Sequence, residues 1–321
     1  MAFDIISAVG RLVLLCLLGF IVFQPAALRS RLLSPLVFIT INILFPLYFV
    51  HHFPTSWADA VDVGGYWMVV FFFACVFYIA LQATIGRLLL AKLPALKAVE
   101  HPREYLAMFA MQNAGYIPLP ILAVIAPRVV LLYMFFFTFA FNLLFWSFAV
   151  SYIQGHGSGF RFRMNVPMIG LAAGLLFAVS GTYGYVPAFL RDALALNASV
   201  AMDLVLVVLG GTLASIPRDS LRYRPEFAWF IGLRQVAYPA VFLLVLWLLP
   251  LPGLSGELEW GIRVAFLLQA VTPPATNLLL VTKEYGTEEQ VNYGGSMILY
   301  SYMASAVTIP AFLILARILF S

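Results

Sequence analysis

Two apolar stretches of this chain are interrupted by prolines and amides, and these residues could do chemistry. The first is Met111-Gln112-Asn113-Ala114-Gly115-Tyr116-Ile117-Pro118; the second is Gln269-Ala270-Val271-Thr272-Pro273-Pro274-Ala275-Thr276-Asn277. Proline lacks an N–H and breaks a helix. Unwound backbone in hydrocarbon leaves polar groups unpaired at several kcal/mol each, so it must be buried in protein or line a polar cavity. Each break also creates a half-helix whose N-terminus carries roughly +0.5 elementary charge and free N–H groups. Two such ends converging would hold an anion without a buried Lys or Arg. The candidate binding residues are Gln112, Asn113, Tyr116 and Pro118 at the first break, with Thr272, Pro273, Pro274, Thr276 and Asn277 at the second. The alternative is that the prolines kink the helices and the amides repair the packing. Matched positions in the two halves of the chain favour a site near the bilayer midplane.

Other polar groups lie within apolar surroundings. Asn142 is mid-segment and must find a partner inside a bundle, either at a cavity or in an interhelical hydrogen bond. Asp203 is the one carboxylate read clearly within a segment, a candidate proton or cation relay; its place about one turn from the outer end also suits an interface or a subunit contact. Gln82 and Thr84, with Arg87 a turn below, suggest a support cluster near the cytoplasmic side, although an arginine there also snorkels to the interface. Gln269 completes the coupling or support candidates. Asn292, Ser296, Ser301, Ser305 and Thr308 give a hydroxyl-rich last segment. His51 and His52 sit in the loop read after the second segment and carry no metal assignment. No nucleophile–base constellation, phosphate loop or zinc spacing is present, so no catalytic residue and no cofactor is expected.

The elements that must position these groups follow from composition. Of 321 residues, 63% are hydrophobic and 10% charged, against about 25% charged in a soluble domain. At about 20 apolar residues per crossing, ten spans are expected, at roughly 4–24, 32–50, 64–86, 104–126, 129–152, 166–183, 198–216, 227–250, 260–281 and 291–319. Positive charge accumulates in cytoplasmic loops. Arg29, Arg31, Arg87, Lys92, Lys97, Arg103, Arg161, Arg163, Arg218, Arg222, Arg224, Arg234 and Lys283 fall on one side, and Arg11, Arg128, Arg191, Arg263 and Arg317 on the other, dividing the 18 basic residues 13 to 5. Both termini are therefore expected outside the cytoplasm. The net charge of +4 reflects this bias and implies no nucleic acid partner. Residues 5–23 read as an uncleaved first span: Asp4 occupies the n-region, which has no Lys or Arg, and no small-x-small cleavage site follows. Cys16 and Cys75 fall inside spans, which argues against a disulfide framework.

Five spans precede a loop at 153–165 and five follow it. An odd number per half inverts the second half, so residues 1–152 and 166–321 read as inverted repeats, with the breaks in the fourth and ninth spans. The fold class expected is an all-α integral membrane protein, a 5+5 inverted repeat with broken crossing helices.

Asn113-Ala114-Gly115-Tyr116-Ile117-Pro118-Leu119 resembles the Asn-x-Gly-x-x-Pro-Leu run of the auxin efflux carrier family, within the bile/arsenite/riboflavin transporter superfamily. Leu206 through Ala214 resembles its Leu-Gly-x-x-Leu ending of span seven. Pro273-Pro274-Ala275 falls at its ninth-span crossover, and Ser301 through Pro310 is similar to its closing Thr-x-Pro pattern. The resemblance covers nearly the whole chain and points to a bacterial-type member. It implies a bile-acid-symporter/NhaA-like fold, with spans 1, 2, 6 and 7 as a scaffold and spans 3–5 and 8–10 as a mobile core. It places Asn113, Pro118, Pro273 and Asn142 on or near the positions that meet a substrate carboxylate. The family's third-span Asp/Lys pair is incomplete: Arg87 stands at the basic position and Ala83 at the acidic one. Asp203 departs from the usual apolar residue at its place.

These readings lead to a multi-pass cell-membrane carrier of small organic anions, auxin-like or other mono- or dicarboxylates, exporting by elevator-type alternating access. The resemblance suggests a homodimer through the scaffold. The alternatives are a sodium- or proton-coupled symporter of the bile-acid type, an intramembrane enzyme, or a non-transporting receptor.

Overall fold

The computed structural model describes residues 2–155, 164–217, 221, 223–251, 253–254 and 256–320. Arg161, Arg163, Arg218 and Arg222 lie outside these residues, as does most of the connecting loop 153–165. The described chain is helical: α1 Ala2–Val22, α2 Ala26–Gly64, α3 Tyr66–Lys92, α4 Pro102–Ala110, α5 Pro118–Ile125, α6 Arg128–Gln154, α7 Val166–Ser180, α8 Ala188–Ala214, α9 Pro225–Leu248, α10 Gly256–Val271, α11 Asn277–Tyr285 and α12 Glu288–Phe320. Among the described residues, 7 of these helices are long and apolar enough to cross a membrane, α1, α2, α3, α6, α8, α9 and α12. The other three expected segments correspond to the 15-residue α7 and to the interrupted pairs α4/α5 and α10/α11.

Several expected boundaries shift. Helix α2 continues to Gly64, so His51 and His52 sit within a helix and not in a loop. Helix α8 begins at Ala188, about ten residues before the expected start, which places Asp203 in the middle of its helix. The extra residues are apolar enough to continue the helix, and Pro187 marks its start.

Prolines are accommodated by widened turns. Wide π-type turns at Arg29–Leu33, Thr40–Leu44 and Gly232–Ala237 each lie just before a proline, Pro35, Pro46 and Pro239. A proline cannot donate to the carbonyl four residues back, and a wide turn relieves the clash. Backbone carbonyls near such turns find side-chain donors: Asn197 Nδ2 reaches the Leu44 carbonyl at 3.0 Å.

Two groups of helix contacts stand out, joined by contacts of α1 with α5 and α12 and of α2 with α6. Helices α1 and α8 lie against each other, as do α2 and α7, and α2 also contacts α8. Glycines make the first two contacts close. A Cβ on Gly19 would strike the Val207 carbonyl and one on Gly210 the Cys16 carbonyl; on Gly170 and Gly174 it would strike Pro46 and the Phe49 carbonyl. Without a hydrophobic drive between helices in lipid, such backbone approach is a main source of association. The second group joins α3 to α4 and α6, α9 to α10, and α12 to α10 and α11. Aromatic rings fill its core, including Phe71, Tyr78, Phe109, Phe135 and Phe230, all essentially inaccessible.

A side chain at Gly210 should therefore separate α1 from α8. Gly210→Leu is expected to destabilise the protein by about 2–3 kcal/mol or to prevent folding, whereas Gly10→Ala, where nothing lies within 4 Å, should melt like the wild type. Thermal melting of the detergent-purified variants, followed by size-exclusion fluorescence, compares the two.

Candidate functional site

Helix α10 ends at Val271 because prolines remove the donors that would continue it, whereas α4 ends at Ala110 with its donors still present and turned to other partners, and proline bars the helix only further on. Pro273 and Pro274 cannot donate to the carbonyls of Gln269 and Ala270, and Pro118 cannot donate to that of Ala114. The two unwound stretches turn to each other. They form an isolated antiparallel bridge between Gln112 and Pro274, with Asn113 N donating to Pro273 O at 2.7 Å and Ala275 N to Met111 O at 2.9 Å. Each break thus supplies part of the backbone pairing that the other lost, as an irregular stretch buried in protein requires.

Amides and one cation pair with the remaining carbonyls. Gln269 Nε2 lies 3.5 Å from Ala114 O, and Gln112 Nε2 lies 3.5 Å from Gln269 Oε1. Gln82, fully buried on α3, has its amide turned to donate to Phe109 O and Ala110 O at 3.0 and 3.1 Å, which caps the end of α4. Arg234 on α9 donates from Nε to Phe109 O at 3.0 Å and from a terminal nitrogen to Ala270 O, the carbonyl left without a helical donor by Pro274. Asn113 is wholly engaged. Its amide nitrogen donates to the Tyr302 hydroxyl at 2.7 Å, and its oxygen accepts from Tyr116 N at 2.9 Å, which sets the turn into α5.

Beyond the bridge, the N-terminal ends of α5 and α11 border a small pocket of about 30 Å³, lined by Asn113, Tyr116, Asn142, Thr276 and Asn277 with Phe45 and Phe141. That is about twice the space a single water needs. Four of its residues, Tyr116, Pro167, Thr276 and Asn277, also line a larger cavity of about 660 Å³ that carries Arg29 and Lys283. Arg29 donates to Ala214 O at 3.0 Å. Burial, and secondarily the neighbouring Arg29, push the Lys283 ammonium below its usual range. A separate cavity of about 240 Å³ holds Arg11, Arg128, His52 and Asp203 and shares no residue with the pocket.

The structure thus gathers Gln112, Asn113, Tyr116, Pro118, Asn142, Gln269, Thr272, Pro273, Pro274, Thr276 and Asn277 at or beside one crossing. Asn142 lines the pocket and also bonds between helices: its oxygen accepts from Asn165 Nδ2 at 2.9 Å, while Asn165 caps α7 by accepting from Met168 N. The Thr272 hydroxyl is buried without a partner among the described residues. The cluster expected of Gln82, Thr84 and Arg87 does not form. Gln82 turns into the crossing, Thr84 bonds its own helix at Ala80 O, and Arg87 is exposed beside a separate apolar cavity. Helical periodicity explains the split, since positions two and five residues beyond Gln82 point to other faces. Asp203 pairs with Arg11 at 2.5 Å, with side chains 36% and 57% exposed, in a cavity that shares no residue with the pocket.

Sequence reasoning missed three groups. Arg234, counted among the loop cations, is fully buried; its place two turns inside an expected span was the available signal, because a cation there is functional by default. Glu104 is a second carboxylate within a span, 2% exposed and accepting from Gln290 Nε2 at 2.7 Å. Tyr302 was invisible, since nothing in an apolar helix marks which tyrosine meets the crossing.

Residues 158–313 match the family model described as "Membrane transport protein". No curated protein matches the chain.

Three substitutions separate the crossing from the Arg11–Asp203 ion pair. Asn113→Ala removes a buried amide that holds both Tyr302 and the α5 turn, and should cost about 2 kcal/mol. Tyr302→Phe, which removes one of those bonds, should cost less. Asp203→Asn breaks only an exposed pair, and should change stability by no more than about 1 kcal/mol and transport by about twofold at most. Melting and flux measurements on all three variants check this order.

Proposed function

We propose that this chain, whose residues 158–313 match the membrane transport protein model, is a member of the auxin efflux carrier family and a ten-span secondary carrier of small organic anions. The observation that carries the reading is the crossing itself. Two half-helices begin at one pocket, and this pocket shares four residues with a cavity that carries two cations.

The 5+5 inverted repeat is supported by the packing. An inverted repeat equates spans 1 to 5 with spans 6 to 10. The contact of the first span with the seventh then maps onto that of the sixth with the second, which are α1 on α8 and α7 on α2. The third span on the fourth maps onto the eighth on the ninth, α3 on α4 and α9 on α10. The same grouping supports a scaffold of α1, α2, α7 and α8 and a core of the remaining helices. The scaffold's outer face is the surface proposed for a homodimer.

A carboxylate suits the pocket. The ends of α5 and α11 each contribute roughly +0.5 elementary charge, and Tyr116, Thr276 and Asn277 offer neutral donors. The pocket must widen to take a carboxylate, which is the change expected when core and scaffold move apart. The cavity with Arg29 and Lys283 lies on the side with most basic residues, so this form faces the cytoplasm by the loop-charge rule. With the inside negative, each net negative charge that leaves is favoured by about 2.3 kcal/mol per 100 mV. Export of organic monocarboxylates or dicarboxylates, auxin-like or otherwise, therefore needs no driving ion, and the carrier sits in the cell membrane with both termini outside.

Charge displacement by purified protein in proteoliposomes tests this. Malonate, malate and indole-3-acetate would be applied with and without Na⁺. A saturable current independent of Na⁺ and lost in Asn277→Ala supports the reading. A current strictly dependent on Na⁺ or on a proton gradient moves the protein to the coupled symporters. Silence across the panel removes the carboxylate class. For any carboxylate that gives current, Lys283→Ala and Arg29→Ala should each raise the half-saturating concentration about fivefold, the equivalent of about 1 kcal/mol of cavity attraction.

A further inference from the structure

We infer that Arg234 is a tethered cation occupying the place a coupling ion would otherwise take, so that removing its side chain opens a site for a small monovalent cation. The inference deepens the carrier reading and rests on it only for its consequence in transport.

The argument begins from charge. The breaks create four helix ends at the crossing. The ends of α4 and α10 present carbonyls and carry roughly −0.5 each, and the starts of α5 and α11 carry roughly +0.5 each. Unwound carbonyls and the C-terminal ends of broken helices are where carriers coordinate Na⁺ or H⁺. Here the guanidinium of Arg234 fills that position. Its Nε donates to Phe109 O at the end of α4 at 3.0 Å, and its terminal nitrogen donates to Ala270 O at the end of α10. One full positive charge faces two half negative charges, and they balance.

No other partner accounts for the residue. Arg234 is fully buried, and no carboxylate among the described residues pairs with it. The other deeply buried arginine, Arg263, differs in this respect: it bonds Glu259 at 2.6 and 2.9 Å. A buried charge without a partner is strongly unfavourable, so the helix-end carbonyls must be what holds Arg234 in place, aided by the Tyr238 ring 5.5 Å from the guanidinium carbon. The wide turn Gly232–Ala237 that carries it also places Gln235, whose amide donates to Ser301 O on α12 at 2.9 Å.

Two consequences follow. An arginine is charged at every physiological pH, so neither a proton nor a metal cation has to arrive or leave for the crossing to be neutral at its carbonyl ends. The two N-terminal ends are then left with roughly one uncompensated positive charge between them, which matches a single carboxylate.

The test uses detergent-purified full-length protein and needs no substrate. In a choline chloride buffer of constant ionic strength, Arg234→Ala is expected to melt about 5 °C or more below the wild type. Millimolar guanidinium or Na⁺ should raise that melting temperature saturably, while the wild type stays unchanged. Arg234→Lys, which keeps the charge, should melt near the wild type and ignore both ions. The inference is overturned if Arg234→Ala melts like the wild type, if its loss is the same with and without either cation, or if Arg234→Lys is as unstable as Arg234→Ala. If Arg234→Ala fails to fold, Arg234→Gln and Arg234→Lys decide by the same comparison. In proteoliposomes, flux of a carboxylate that the wild type carries should fall about tenfold or more in Arg234→Ala and recover with the rescuing cation. Melting rescue without any carboxylate flux would sink the carrier reading and leave the tethered cation standing.

Discussion

Everything at the centre of this protein depends on two backbone hydrogen bonds between segments 160 residues apart in sequence. Proline at 118 and at 273–274 makes continuous helices impossible there, and hydrocarbon makes unpaired backbone intolerable. Asn113 N to Pro273 O and Ala275 N to Met111 O resolve the conflict by making each break the other's partner. Neither half of the chain could bury its break alone. The pairing therefore ties the halves together, and it points four helix ends at one place.

The side chains around the bridge fall into a division of labour that follows from polarity. Donors gather at the carbonyl ends: Gln82 and Arg234 on α4, Arg234 on α10, and Gln269 at the carbonyl freed by Pro118. The N-terminal ends face the pocket, where the polar groups are neutral. Had acids stood at the carbonyl side, the ends would have repelled them; had further cations stood at the pocket, the dipoles of α5 and α11 would have opposed them. Asn113 joins the two sides, since one amide reaches Tyr302 and also shapes the first turn of α5.

The location of the crossing was legible because prolines and amides in apolar stretches are rare and have few explanations. The short ordered motifs resemble a transporter family, and residues 158–313 match the membrane transport protein model. What was not legible was pairing. Arg234 read as one more loop cation because charge counting along the chain treats an arginine near a span as interfacial, whereas only the folded bundle shows two carbonyls waiting for it. The partner of Asp203, read as a candidate relay or an interface group, was hidden because Arg11 lies on a neighbouring helix 192 residues away in sequence. Gln82 and Arg87 looked like one cluster by sequence proximity and point to different faces.

The proposed sliding of core against scaffold makes a physical demand on the surface between them. Directional bonds resist translation, because each one broken leaves a polar group unmatched in a dry environment. Apolar contacts do not, since they depend on area and can be exchanged for equivalent ones. The contacts of α1 with α5 and α12 are of the second kind, lined by Val9, Leu12, Cys16, Ile117 and Ile309. The hydrogen bond of Asn142 to Asn165 is of the first kind and lies at the rim of the pocket. A core that moves must exchange that bond.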